Sequence, residues 1–199
     1  PVADVPTNNN PARVINLSFG GDASCSALYQ NTIDAATDAG ALVVVAAGNG
    51  SGALKRPADC QRVMTVAAVR KDGAKTSYSS FGPQVALSAP GGSDESGGVN
   101  LLYSTDNAGS TIPGINGYGY KQGTSFAAPQ AVGVASLMLA VNGALTPSAL
   151  IERMRAGARS HENNPMLPMC TLPSSFFMIS RTTLPAISAF APSMVSVSK

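Results

Sequence analysis

The sequence predicts an α/β chain with a mostly parallel central sheet flanked by helices, on three observations. Residues 41–47 (ALVVVAA) and 62–69 (RVMTVAAV) are apolar without alternation, as strands buried on both faces are. A strand-like run, a helix-like run and a second strand-like run follow one another from residue 13 to residue 47, an order that implies a right-handed crossover in a parallel sheet. Residues 125–141 are apolar on nearly every face, the pattern of a helix buried through a domain centre. A length of 199 residues fits one domain with a single core.

Taken in order, the first stretch (PVADVPTNNNP, residues 1–11) reads as an external loop entered midway, which predicts that the chain begins inside a longer protein. Residues 13–19 (RVINLSF) are of strand length and close on Gly20 and Gly21; a central parallel strand is expected. Between residues 24 and 39, Ala27, Leu28, Ile33, Ala35 and Ala36 fall at near-helical spacing and Gly40 supplies the stop, giving a helix on the outer face of the sheet. The strand at 41–47 breaks at Gly48, Asn49 and Gly50. The strand at 62–69 is followed by a turn at Lys71, Asp72 and Gly73. Residues 77–80, 85–88 and 101–105 are shorter and more polar and are expected as edge or antiparallel pieces. The loop GGSDESGG at 91–98 carries Asp94 and Glu95; these read as solvated acids, with oxygen ligation of calcium as the alternative. Beyond the long helix, Thr146 and Pro147 are a cap and a first-turn proline that open a second helix, with Leu150, Ile151 and Met154 facing inward as far as about Ala158.

Composition narrows the class. Charged residues are 12% of the chain, with 20 Gly and 14 Pro, a balance that suits a loop-rich secreted protein. A net charge of +2 selects no partner, and no run of Lys or Arg with interleaved aromatics suggests nucleic acid. Apolar stretches are interrupted before ~18 residues accumulate, except at 125–141, whose Gly, Ser and Gln content argues for a core helix over a membrane span.

The chemistry gathers at GTSFAAP, residues 123–129. One reading is a plain helix start, with Gly123 turning the backbone and Thr124 as N-cap. The other makes Ser125 a nucleophile, because a hydroxyl at a helix mouth sits among unpaired N–H groups and the positive end of the helix dipole, which stabilise an oxyanion. In parallel sheets ligands collect at the carboxyl ends of strands, so the loops at 18–20 (SFG) and 46–49 (AAGN) are expected to share an edge where a substrate would lie. Asn49 is either a turn residue or a side-chain amide that donates to that oxyanion, a contribution of ~3 kcal/mol where such donors are removed.

Six segments in order now carry a resemblance that no single motif could: VINLSFGG at 14–21, VVVAAGN at 43–49, VMTVAAV at 63–69, YSSFGP at 78–83, APG at 89–91 and GTSFAAP at 123–129. The chain resembles the subtilisin-like serine proteases, the peptidase S8 family, and more closely their secreted bacterial members, over residues 13–159. The resemblance implies a subtilisin-like three-layer fold. It makes Ser125 the acylated nucleophile and Asn49 the oxyanion-hole side chain, helped by the Ser125 backbone N–H. It makes Ser18, Phe19 and Gly20 the backbone strand that pairs with an extended polypeptide substrate by β-strand addition. Ala46, Ala47 and Gly48 become a wall of the primary specificity pocket, small enough to leave room for a large apolar side chain. Pro57 falls near a position where the family commonly has a cis proline. The pairing of Cys25 with Cys60 looks like that of the secreted bacterial members; closing 35 residues would stabilise by ~3 to 4 kcal/mol in the chain-entropy model and imply an oxidising, extracellular or periplasmic setting, the alternative being two buried free thiols. No cofactor is implied, and structural calcium in the complete enzyme stays open.

Two departures from the family pattern stand out. Family members supply the triad in the order Asp, His, Ser, and their Asp and His segments precede the strand matched by residues 13–19, so the amino-terminal part of the domain, with both residues, is expected to be missing here. The single histidine, His161, follows the second helix in a polar stretch where the family has no catalytic histidine, and reads as a surface residue. Without a base the Ser125 hydroxyl is a poor nucleophile, which keeps a second function in view: a catalytically inactive fragment or peptide-binding remnant. Exposure of the apolar strand faces predicts aggregation of an isolated chain. The second departure is residues 163–199, which contain no Asp or Glu and no helical period. The expected division is a partial protease domain over 1–160 and an atypical extension over 161–199, with Cys170 lacking a visible partner.

Overall fold

The computed structural model describes residues 9–95, 97 and 100–160, and the backbone of residues 170–171. Eleven elements follow in order: β1 (Val14–Leu17), α1 (Ala27–Asp38), β2 (Leu42–Ala46), β3 (Val63–Val69), β4 (Val85–Pro90), β5 (Leu102–Asn107), β6 (Asn116–Lys121), α2 (Thr124–Val141), α3 (Pro147–Gly157), β7 (Arg159–Ser160) and β8 (Cys170–Thr171). The main sheet runs β1-β2-β3-β4-β8-β7, parallel from β1 to β8, with β7 antiparallel to β8. β5 and β6 form a separate antiparallel ribbon.

The non-alternating apolar runs behave as their pattern requires. Every residue of β2 and β3 is buried, and the two faces of the sheet fill different cores. Val43, Val45, Val63, Ala67 and Val85 pack with Ile33 and Ala36 of α1. Leu42, Val44, Met64, Val66 and Leu87 pack on the opposite side with Ala127, Ala128, Ala131 and Ala135 of α2 and Leu150 and Met154 of α3. Three layers result, helix on sheet on helices. The alanines place one flat stripe of α2 close against the strands, since no side chain longer than a methyl holds the backbones apart. α3 starts as the sequence predicts: Pro147 is its first residue and the Thr146 hydroxyl accepts from Ala149 N at 3.2 Å.

Four expectations need correction. β4 is neither an edge nor an antiparallel strand; it is parallel, buried, and lies between β3 and β8, its polar Ser88 fully buried. Residues 77–80 form a turn instead of a strand, because the Ser79 hydroxyl accepts from Ala68 N and donates to Ser80 O, satisfying backbone groups that a ladder would otherwise pair. β1 is parallel as expected but has one neighbour among the described residues, β2. Finally, α2 is not buried all round: Leu137 and Val141 are 58% and 77% exposed. By length and composition α2 could cross a membrane, yet its alanine stripe belongs to the domain core.

Arg56–Pro57 is a cis peptide bond and Cys25 is disulfide-bonded to Cys60, with Cα atoms 5.2 Å apart. The Glu95 carboxylate accepts from Ser77 N and from Arg70, so it is held by protein donors instead of standing free in solvent as expected. His161, the side chain of Cys170 and the tail at 172–199 lie outside the described residues.

Candidate active site

The first turn of α2 is anchored at Gly123, the N-cap, in a conformation with φ 140° that excludes other residues; a Cβ there would also lie 3.4 Å from Asn49 Nδ2. Thr124, expected as the cap, is instead the first helical residue. Its hydroxyl has a different use. Thr124 N and Thr124 Oγ1 each donate to Asn49 Oδ1 at 2.9 Å, and Thr124 Oγ1 accepts from Gly48 N at 3.1 Å. Two donors on Oδ1 fix the orientation of the amide and leave Nδ2 as the group without a protein acceptor among the described residues. Gly48 itself has φ 101°, and a Cβ there would press the Ser80 hydroxyl at 3.3 Å.

Pro129 explains a second feature of the turn. A proline six residues into a helix has no N–H to give to the carbonyl four residues back, which here is that of Ser125. Ser125 O accepts instead from Ser18 Oγ at 3.0 Å, while Ser125 Oγ donates to Ser18 O at 3.2 Å. The end of β1 and the mouth of α2 are thereby tied together across 107 residues of chain. Asn16 Nδ2 donates to the same Ser18 hydroxyl at 2.9 Å.

The third anchor is Tyr78, which the sequence reading did not single out. Its hydroxyl reaches Gly91 O at 2.8 Å and Gly92 O at 2.6 Å and accepts from Gly123 N at 3.1 Å. Gly123 N also donates to Gly91 O at 2.8 Å. Three glycine backbones converge on one phenol: a Cβ on Gly91 would come within 2.8 Å of that oxygen and 2.4 Å of Ala68 Cβ. Burial raises the Tyr78 pKa above that of a free phenol, so the hydroxyl keeps its proton where a surface tyrosine begins to lose it. Tyr78 stands between Ser77 and Ser79 at the head of the YSSFGP segment, and nothing local marks its hydroxyl as such a hub.

One cavity of about 430 Å³ brings the expected residues together: Ser18, Phe19 and Gly20 on one side, Ala46, Ala47, Gly48 and Asn49 on another, with Ser125 at its edge. Ala46 and Ala47 are buried, and Phe19 is more than half exposed. A strand end, a glycine-rich loop and a helix N-terminus thus meet around a hydroxyl, an amide donor and a backbone N–H, the set required to attack a carbonyl and hold the resulting oxyanion. Among the described residues no imidazole or carboxylate reaches the Ser125 hydroxyl.

The model of the Subtilase family matches residues 2–167. The chain belongs to the subtilase family. It is 45% identical over 164 residues to an extracellular protease of Xanthomonas campestris pv. campestris, covering 80% of this chain and 27% of that relative. With an extracellular basic protease of Dichelobacter nodosus the identity is 41% over 152 residues, 73% of this chain and 24% of the relative. Among solved structures, proteases from Pseudoalteromonas arctica superpose with a TM-score of 0.77 at 37% identity, covering 83% of this chain and 50% of that one. The subtilase therefore spans about a quarter of the length of these two relatives and half of that structure.

Proposed function

We propose that this subtilase carries the nucleophile, the oxyanion hole and the primary specificity cavity of a secreted serine endopeptidase. The observation that carries the reading is the Asn49–Thr124 clamp, which spends the amide oxygen on two donors and leaves Nδ2 available beside Ser125. In this reading an extended polypeptide adds as a strand along Ser18, Phe19 and Gly20, its side chain entering the cavity along Ala46, Ala47 and Gly48. The Ser125 oxygen attacks the carbonyl carbon, and the Ser125 proton passes to an imidazole base. Asn49 Nδ2 and the Ser125 N–H hold the oxyanion until the amine leaves with that proton, and water then hydrolyses the acyl-Ser125 ester. The base and its orienting acid come from a segment of the complete protein outside the described residues. Secretion is supported by the relatives named extracellular and by the Cys25–Cys60 disulfide, which persists in oxidising compartments.

A second reading, peptide binding without turnover, is favoured by one observation: the Ser125 hydroxyl donates to the Ser18 carbonyl, an interaction that gives it no base. Hydrolysis of quenched fluorescent peptides by the protein encoded by the complete gene separates the two. Turnover abolished by Ser125→Ala supports the endopeptidase; peptide binding with no turnover in the unaltered protein supports the remnant.

A further inference from the structure

The cavity is not electrically neutral. Its lining includes Asp22, Lys55 and Arg56, two cations against one anion, together with Ala46, Ala47 and glycine backbone. The two cations are not equivalent. The Arg56 guanidinium lies over the Tyr29 ring, 5.5 Å from its centroid, and its Nε is buried without a hydrogen-bond partner, so that group is fixed as part of the wall. Lys55 is the adjustable one: its side chain is 52% exposed and its ammonium sits 3.7 Å from Asp22 Oδ1, whose own side chain is fully exposed. A pair that long and that solvated is weak, so a carboxylate brought into the cavity competes readily for the lysine.

We propose that Lys55 makes this cavity select an acidic side chain at the residue preceding the scissile bond, glutamate best. The proposal rests on the endopeptidase reading for where the side chain enters. A glutamate lays its methylenes along Ala46 and Ala47 and delivers its carboxylate to Lys55. Entry of a lysine or arginine side chain is opposed by two cations. A purely apolar side chain also fits along Ala46 and Ala47 but leaves the Lys55 charge unused. Asp22 acts against acidic selection, because it holds Lys55 when the cavity is empty.

Glutamate and glutamine have the same shape, so their ratio isolates the charge. The test uses the protein encoded by the complete gene and a peptide series differing only at that position (Glu, Gln, Lys, Leu), read by kcat/KM and, in the Ser125→Ala protein, by fluorescence anisotropy of the labelled peptides. The expected Glu-to-Gln ratio is about 3- to 10-fold at low salt, the size of one ion pair in a half-enclosed site, falling toward one as salt rises. Lys55→Gln brings the ratio to about one, Lys55→Glu inverts it, and Asp22→Asn increases it. Both positions are solvent-exposed, so these variants fold as the parent does. A ratio at or below one in the unaltered protein, or one that Lys55→Gln leaves in place, overturns the proposal. If no peptide is cleaved but the binding ratio exceeds one and depends on Lys55, the peptidase reading fails and the Lys55 assignment stands. If neither cleavage nor a binding preference is seen, both fall.

Discussion

Replacing Tyr78 with Phe keeps the ring and deletes one oxygen from the point where Gly91, Gly92 and Gly123 meet. Gly123 N retains Gly91 O at 2.8 Å as acceptor, but Gly92 O loses a donor at 2.6 Å in a half-buried place. One lost hydrogen bond and one under-satisfied carbonyl cost about 1 to 3 kcal/mol. Gly123 caps α2 two residues before Ser125, so the loss also loosens the turn that aims the Ser125 N–H, and phosphonylation of Ser125 should slow by roughly 3- to 10-fold. The pH dependence gives a second readout. A folded-state pKa raised above the unfolded value near 10 contributes stability that is present below pH ~10 and is lost as pH rises through the folded pKa. That alkaline loss should disappear in Tyr78→Phe. Urea denaturation followed by circular dichroism at pH 8 and pH 10.5, together with the labelling rate, measures all three effects. Unchanged stability at pH 8 and unchanged labelling would refute the role assigned to the hydroxyl.

Other perturbations have equally definite outcomes. Asn49→Ala should lower kcat by about 10²- to 10³-fold with little change in KM, a magnitude measured in subtilisin itself and dependent on Asn49 holding the oxyanion; steady-state kinetics decides. Reducing the Cys25–Cys60 disulfide, or replacing both cysteines with serine, should cost about 4 kcal/mol in urea denaturation without changing the peptide preference. Glu95 is held down to about 2 by its hydrogen bonds with Ser77 and then Arg70. It therefore contributes stability above its ordinary 4.5 that is lost as pH falls through about 2, and Glu95→Gln should flatten that acid limb in a pH series of denaturation curves.

The parts of the fold that were legible in the sequence are those whose local pattern and tertiary environment agree. β2 and β3 are apolar throughout because both faces are covered, and α3 begins at its cap and proline. β4 was legible as a strand but not as a central parallel one, because Ser88 interrupts a short run and nothing local says that a serine will be fully buried in the sheet. The uniform apolarity of α2 concealed its direction: the stripe that meets the sheet is set by residue size, alanine at 127, 128, 131 and 135, and not by polarity. At the site, Ser125 and Asn49 were reachable through ordered motifs. Thr124 and Tyr78 stand in those motifs too, but their roles, like that of Lys55, depend on partners 75, 45 and 33 residues away that only folding brings together. The hydroxyl of Thr124 reads locally as a cap, and its bond to Asn49 Oδ1 gives it another role.

The central claim, that the mouth of α2 presents a protease nucleophile, is tested most directly by covalent labelling. The protein encoded by the complete gene is treated with a fluorophosphonate and the modified residue is located by mass spectrometry of its peptides. A single adduct on Ser125, lost on denaturation before treatment and slowed by Asn49→Ala, is the predicted result. A folded protein that takes up no label, or takes it up at another residue with Ser125 unmodified, would contradict it.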